Sequence, residues 1–96
     1  MKLLMLIHSG PHEDRLTRLL DAHDAGGYTE LRNVHGSGPS GPLLGTRAWP
    51  GSGTILFSIV PAPRVDALVQ ALREYKRSLV AGEHLHVAVL PVETYF

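Results

Sequence analysis

Histidine and glycine carry most of the polar chemistry available to this 96-residue chain. Its six imidazoles are His8, His12, His23, His35, His84 and His86. A neutral imidazole can ligate Zn, Cu or Ni, titrate near physiological pH or hydrogen-bond an anion. His84 and His86 alternate along one segment, so in a strand they share a face at a spacing of about 6–7 Å. Between Asn33 and Gly53 lie six of the ten glycines and three of the seven prolines. Connections in small domains usually run about 4–6 residues, and one this long is generally functional or disordered.

Within that loop, which spans about 36–52, the string GSGPSG at Gly36–Gly41 has the spacing of a dinucleotide fingerprint. That fingerprint needs a helix opening inside the motif to aim its N-terminus at a pyrophosphate. Pro39, Pro42 and the strand expected next leave no room for one. The backbone N–H groups of a glycine turn can still line an anion. Arg47 is the only formal cation of the loop and Trp49 its only aromatic, both types that anchor partner contacts. Nucleophilic catalysis finds no support: Ser9 with His12, or Ser37 with His35, lacks the third orienting group and the oxyanion site such chemistry needs. No catalytic residue is expected.

Composition narrows the partners. Nine Lys and Arg balance nine Asp and Glu, so no net field draws the chain to nucleic acid or an anionic membrane. Without cysteine there is no disulfide, thiolate metal site or thiol nucleophile, which fits a reducing compartment, and the cytoplasm is the expected location. The apolar run LLMLI near the N-terminus is too short for the apolar region of a signal peptide, about 7–15 residues, or for a membrane span of about 20. It reads as a buried strand, with no direct insertion into membrane. A chain of this length forms one domain, residues 1–96, around one core.

The elements that must position these residues follow from periodicity. Lys2–His8 is nearly continuous in apolar residues, with Leu3, Met5 and Ile7 on one face and Leu4 and Leu6 on the other, as in a central strand. Pro11 opens a helix with Leu16, Leu19, Leu20 and His23 on one stripe, closed by Gly26 and Gly27. Tyr28–His35 alternates as an outer strand would, and Thr54–Val60 reads as a second central strand. Pro61 and Pro63 start a helix with the stripe Val65, Leu68, Val69, Leu72 and Leu79, and His84–Leu90 forms the last strand. The order βαββαβ predicts an α+β, ferredoxin-like domain: a four-stranded antiparallel sheet with its first and third strands central and both helices on one face. The second face, also apolar, then needs cover from another copy, because each exposed Leu, Ile or Phe costs roughly 1.5–3 kcal/mol. The topology gathers His8, His12, His35, His84, His86 and the glycine loop at one sheet edge. From the residues alone, a Zn or Cu site of His84 and His86 with His8 or His35 in a metal-responsive protein is the alternative reading.

The segments GYTELRNVHGSG, VDALVQALRE and VAVLPVE, taken in order and spacing, resemble the P-II signalling proteins, in their short P-II-like branch. The likeness runs over nearly the whole chain. It implies a ferredoxin-like homotrimer, a T-loop between the second and third strands, and a cleft between subunits for an adenine nucleotide, ATP, ADP or AMP. It also implies signalling to a membrane transporter or enzyme through that loop, with nitrogen regulation as the family setting. Carried across, Thr29, Gly36 and Gly38 fall on the nucleotide cleft with His35 and Ser37 beside them, and Gly82–His84 falls on the phosphate-binding B-loop. This sequence departs from the pattern where His84 replaces a lysine, where the family's basic tail has no counterpart up to Phe96, and where the loop holds no tyrosine for uridylylation. A smaller or less charged ligand is then expected: AMP, ADP, a cyclic nucleotide or an anion such as bicarbonate.

Overall fold

A computed structural model describes residues 1–10, 13–23, 25–38, 41–43 and 53–96. The two most apolar segments occupy the middle of the sheet, as their two-sided patterns require. β1 (Lys2–Ser9) pairs antiparallel with β5 (Gly53–Val60) on one side and with β6 (His84–Pro91) on the other. β2 (Thr29–Val34) pairs with the outer edge of β5, giving the order β2-β5-β1-β6.

Both helices lie on one face. α1 (Glu13–Ala22) contributes Leu16 and Leu20, and α2 (Ala62–Arg77) contributes Val65, Leu68, Leu72 and Tyr75. They bury Leu4 and Leu6 of β1, Leu56 and Val60 of β5, and Leu85 of β6. The start of α2 is fixed by Pro61 at its N-cap and a proline in its first turn, which needs no N–H donor there, and Lys76 and Arg77 in the last turn complement its dipole. The helix stops at Arg77, so Leu79 lies beyond it and is only partly buried, while Tyr75 takes the core position one turn earlier.

The opposite face has no helix. Its inner rows are Leu3, Met5 and Ile7, paired with Ile59, Phe57 and Ile55 and flanked by Leu90, Ala88 and His86. The six residues of the two central strands are only half-buried, and Leu31 and Leu90 at the flanks are 48% and 41% exposed. The free apolar face inferred from sequence is present.

Two details differ from the periodic reading. β2 carries an extra residue between Leu31 and Val34, where its register against β5 shifts, and Asn33 adopts φ 58° there. Asn tolerates this left-handed conformation better than most residues, and the bulge places Val34 on the same face as Leu31 rather than the opposite one. The segment read as a continuous loop begins with a small ribbon. β3 (Gly36–Gly38) pairs antiparallel with β4 (Gly41–Leu43), Gly36 opposite Leu43 and Gly38 opposite Gly41. Two residues separate the strands in sequence, the spacing of a tight hairpin, and glycine imposes no side-chain conflict on the pairing.

Candidate functional site

One end of the sheet collects most of the polar candidates. Register sets His84 opposite Ser9, His8 opposite both Leu85 and Thr54, and Val34 opposite Gly53. The C-terminal ends of β1 and β2 and the N-terminal ends of β5 and β6 therefore line up, as the topology predicted. His35 and Gly36 continue from β2 at one corner, both exposed, and Gly82 precedes β6 at the other, exposed with φ 89°. Ser37 and Gly38 lie in the β3 strand of the ribbon. Arg47 and Trp49, the expected partner contacts, and His12 lie outside the described residues.

Alternation divides three of the histidines considered for a metal. His8 opposes Leu85 and points into the helix-covered layer, where it is 1% exposed. His84 and His86 oppose Ser9 and Ile7 and point to the free face. The pair His84 and His86 shares a face as predicted, and His8 is on the other. Among the described residues no group of three or more His, Asp or Glu is arranged to hold a metal ion.

Thr29 stands apart from the polar end. It opposes Phe57, which opposes Met5, which opposes Ala88, so its row crosses the middle of the sheet. His84 is on the row of Ser9, about 13 Å further along and about 14 Å across at ordinary strand spacings. Thr29 and the Gly82–His84 turn are thus roughly 19 Å apart in one chain. Thr29 instead lines a cavity of about 480 Å³ on the free face, with Leu3, Phe57, Ile59, Tyr28 and Tyr95 as apolar and aromatic walls and Gly26 and Gly27 at its rim. Ser58 fixes that rim from beneath. It is 2% exposed, and its hydroxyl donates to the carbonyl of Gly27 at 2.7 Å. The aromatic wall was not read from sequence; its signal was the pair Phe57 and Ile59 on a strand face that no helix covers.

Behind the Gly82–His84 turn lies a second feature that periodicity did not reveal. Glu83 is 6% exposed, and its Oε2 has no hydrogen-bond partner among the described residues. Its backbone N–H donates to the carbonyl of Val80 at 3.1 Å. Its side chain packs on Gly10, where a Cβ would stand 2.8 Å from the Glu83 Cγ; φ at Gly10 is 123°. With Lys76, Leu79, His84, Leu85 and His86 it lines a cavity of about 260 Å³. The charge of Glu83 reaches Tyr75, whose hydroxyl is held above its ordinary pKa by burial first, with Arg15 opposing and Glu83 and Asp14 adding to the rise. The Arg15 guanidinium lies 5.3 Å from the Tyr75 ring centroid.

No family model matches the chain, and no curated protein does. Solved structures do. CPII from Thiomonas intermedia K12, bound to ADP and bicarbonate, covers 97% of this chain and 88% of its own with a TM-score of 0.71 at 25% identity. CPII bound to ADP, AMP and bicarbonate, where it is described as a nitrogen regulatory PII-like protein, covers 99% and 94% with a TM-score of 0.69 at 23% identity. A protein assigned to PII-like signalling from Thermus thermophilus covers 93% and 84% with a TM-score of 0.61 at 21% identity. The sheet order and the single helical layer described above are the fold these structures share with this chain.

Proposed function

We infer that this chain, a divergent PII-like protein by its fold, is a small-molecule sensor that binds an adenine nucleotide between the subunits of a homotrimer. One observation carries the reading. The free sheet face is apolar, and the candidate ligand residues sit far apart on it, Thr29 with its cavity on the middle row of the edge strand β2 and the Gly82–His84 turn at the end of the opposite edge strand. A second copy laid against that face does two things: it removes Leu3, Met5, Ile7, Ile55, Phe57 and Ile59 from water, and it brings the turn of one subunit toward the Thr29 cavity of the next. A closed symmetric assembly satisfies every subunit in the same way.

The cavity suits a purine. At about 480 Å³ it falls in the usual range for small-molecule sites, about 300–1,000 Å³, and its lining is about as polar as it is apolar. Aromatic Phe57, Tyr28 and Tyr95 offer stacking surface, and the Thr29 hydroxyl and the glycine backbone offer hydrogen bonds. The phosphate end then meets the backbone of Gly82–His84 and of the Gly36–Gly38 strand, with His35 and Ser37 beside it. CPII was solved with ADP, AMP and bicarbonate, ligands of the class this arrangement would take.

The response passes through the segment that follows Val34: the ligand is held by Gly36 and Gly38, and a transporter or enzyme that contacts Arg47 and Trp49 reads its binding. The chain acts as a binding module in this reading. No described helix is long and apolar enough to cross a membrane.

Isothermal titration with AMP, ADP, ATP and cyclic AMP tests the reading. Saturable binding of at least one of them at one site per subunit is expected, weakened about tenfold by Thr29→Val. No heat with any of the four contradicts it.

A further inference from the structure

The two edges of the sheet are built differently. β2, the edge beyond β5, breaks its register with a bulge between Leu31 and Val34 and carries the ion pair of Glu30 and Arg32. Bulges and charges of this kind keep an edge strand from pairing with another chain. β6, the opposite edge, has neither. It runs in unbroken register with β1, from Lys2 opposite Pro91 to Ser9 opposite His84. His84–Pro91 holds no Lys, Arg, Asp or Glu, and its proline stands at the last position. Among the described residues no strand pairs with its outer side, so the backbone N–H and C=O groups there form a row that an extended chain can join.

Beside that edge, on the helix side of the sheet, α2 and β6 enclose a groove of about 230 Å³. Val69, Leu72, Val87 and Val89 make its apolar walls, with Val89 42% exposed, and Arg73 and Lys76 are the charged residues that line it. Both cations are exposed, and neither forms an ion pair among the described residues. The nearest acids in sequence are directed elsewhere: Glu74 accepts from Gln70 at 3.4 Å, and Glu83 packs on Gly10. The groove therefore joins apolar area to a positive rim, beside an edge that nothing in its own sequence blunts. It opens on the helix layer, so copies packed through their free faces leave it open.

We propose that this groove and the outer edge of β6 dock an extended segment of a partner protein, added to the sheet as a fifth strand, whose groove-facing residues are apolar and acidic. Main-chain hydrogen bonds to β6 hold such a segment, and every second side chain faces the groove. An apolar side chain there packs on Val69, Val87 and Val89, and a carboxylate one step along the same face meets Arg73 or Lys76. The chain has no net charge, so the attraction comes from this local rim rather than from an overall field. The inference goes beyond the nucleotide reading and does not need it, because the groove and the Thr29 cavity lie on opposite faces of the sheet.

A dye-labelled peptide of nine residues, threonine at the odd positions and valine, glutamate, valine, glutamate at the even ones, serves as the probe. Fluorescence anisotropy against the full chain, at neutral pH and low ionic strength, is expected to show saturable binding. The same peptide with lysine for glutamate binds at least about tenfold more weakly, because the rim repels it. A peptide N-methylated on two adjacent central residues loses a donor toward β6 in either register and is weakened by a similar factor. The double variant Arg73→Glu, Lys76→Glu, changed only at exposed positions, keeps the circular dichroism of the fold and loses about tenfold for the glutamate peptide. No binding of the glutamate peptide, or equal binding of its lysine counterpart, overturns the proposal on the wild-type chain alone. So does a folded double variant with unchanged affinity, and an N-methylated peptide as tight as its parent overturns the added strand. None of these results bears on AMP or ADP binding, whose own titration decides the nucleotide reading.

Discussion

The hydroxyl of Ser58, in the middle of β5, donates a 2.7 Å hydrogen bond to the carbonyl of Gly27, 31 residues earlier in the chain. That bond ties the connection after α1 to the sheet directly beneath the cavity lined by Thr29. Gly26 and Gly27 both have positive φ, 86° and 117°, so the connection bends in a way few other residues allow, and Ser58 supplies the polar anchor for the bend.

Ser58→Ala removes the donor and leaves a carbonyl in a site where Ser58 is 2% exposed. The expected loss of stability is about 0.5–1.5 kcal/mol, because Gly27 is itself exposed and water can take the place of the lost donor. Urea denaturation at a single protein concentration measures it, since assembly would make the midpoint concentration-dependent. A loss below the error of the extrapolation would show that the bend is held by other contacts.

Gly10→Ala places a methyl against the Glu83 Cγ and forces alanine to a φ of 123°. A residue held in such a region costs on the order of 1–3 kcal/mol. In the double variant Gly10→Ala, Glu83→Ala the Cγ contact is relieved while the contacts with the Glu83 Cα at 3.0 Å and Cβ at 3.2 Å and the strained backbone remain, so the two effects are less than additive. Thermal melts of the four proteins of this cycle give the coupling. Strict additivity would contradict the contact.

Two substitutions separate the faces of the sheet. Phe57→Lys puts a charge on the free face and is expected to reduce the mass measured by light scattering to that of one chain, with the circular dichroism of the fold kept. Leu56→Ala, on the helix side where Leu56 is fully buried, costs about 2–5 kcal/mol and leaves the assembly state unchanged. The reverse pattern would mean that copies associate through the helices.

Alkaline pH weakens the fold through Tyr75. Its hydroxyl loses a proton less readily when folded than at the ordinary value of 10.0, chiefly because burial disfavours the anion. The unfolded chain therefore ionises first. The contribution of Tyr75 is intact below pH 10.0 and is lost as pH rises from there through the higher folded value. Tyr75→Phe removes this part of the decline, which stability curves spanning that pH range detect. An identical decline in the variant would assign it to other groups.

Much of this architecture is legible in the amino-acid sequence, because a period of two fixes which strand residues share a face. Leu3, Met5 and Ile7 against Leu4 and Leu6 predict a central strand with two apolar faces, and the register against β5 and β6 bears that out. Where side chains escape their period, reading fails. The extra residue at Asn33 moves Val34 to the face of Leu31, and no alternation foretells a bulge whose cause is one backbone angle. Tyr75 is absent from the expected stripe because α2 stops at Arg77 and shifts its last core position back from Leu79. Glu83 reads as a turn residue, since nothing in a Gly-Glu-His string announces that the carboxyl group folds inward onto Gly10, far away in sequence. The divided placement of Thr29 and His84 requires the strand order and register together, which only the structure supplies.

The central claim is a ligand held between copies of this chain. A crystal structure of the protein grown with AMP tests it most directly. The account predicts a trimer packed through the free sheet faces, with the adenine in the cavity of Thr29 and Phe57 from one subunit and its phosphate at Gly82–His84 of another. A monomer, a trimer joined through its helices, or AMP bound wholly within one chain would contradict it.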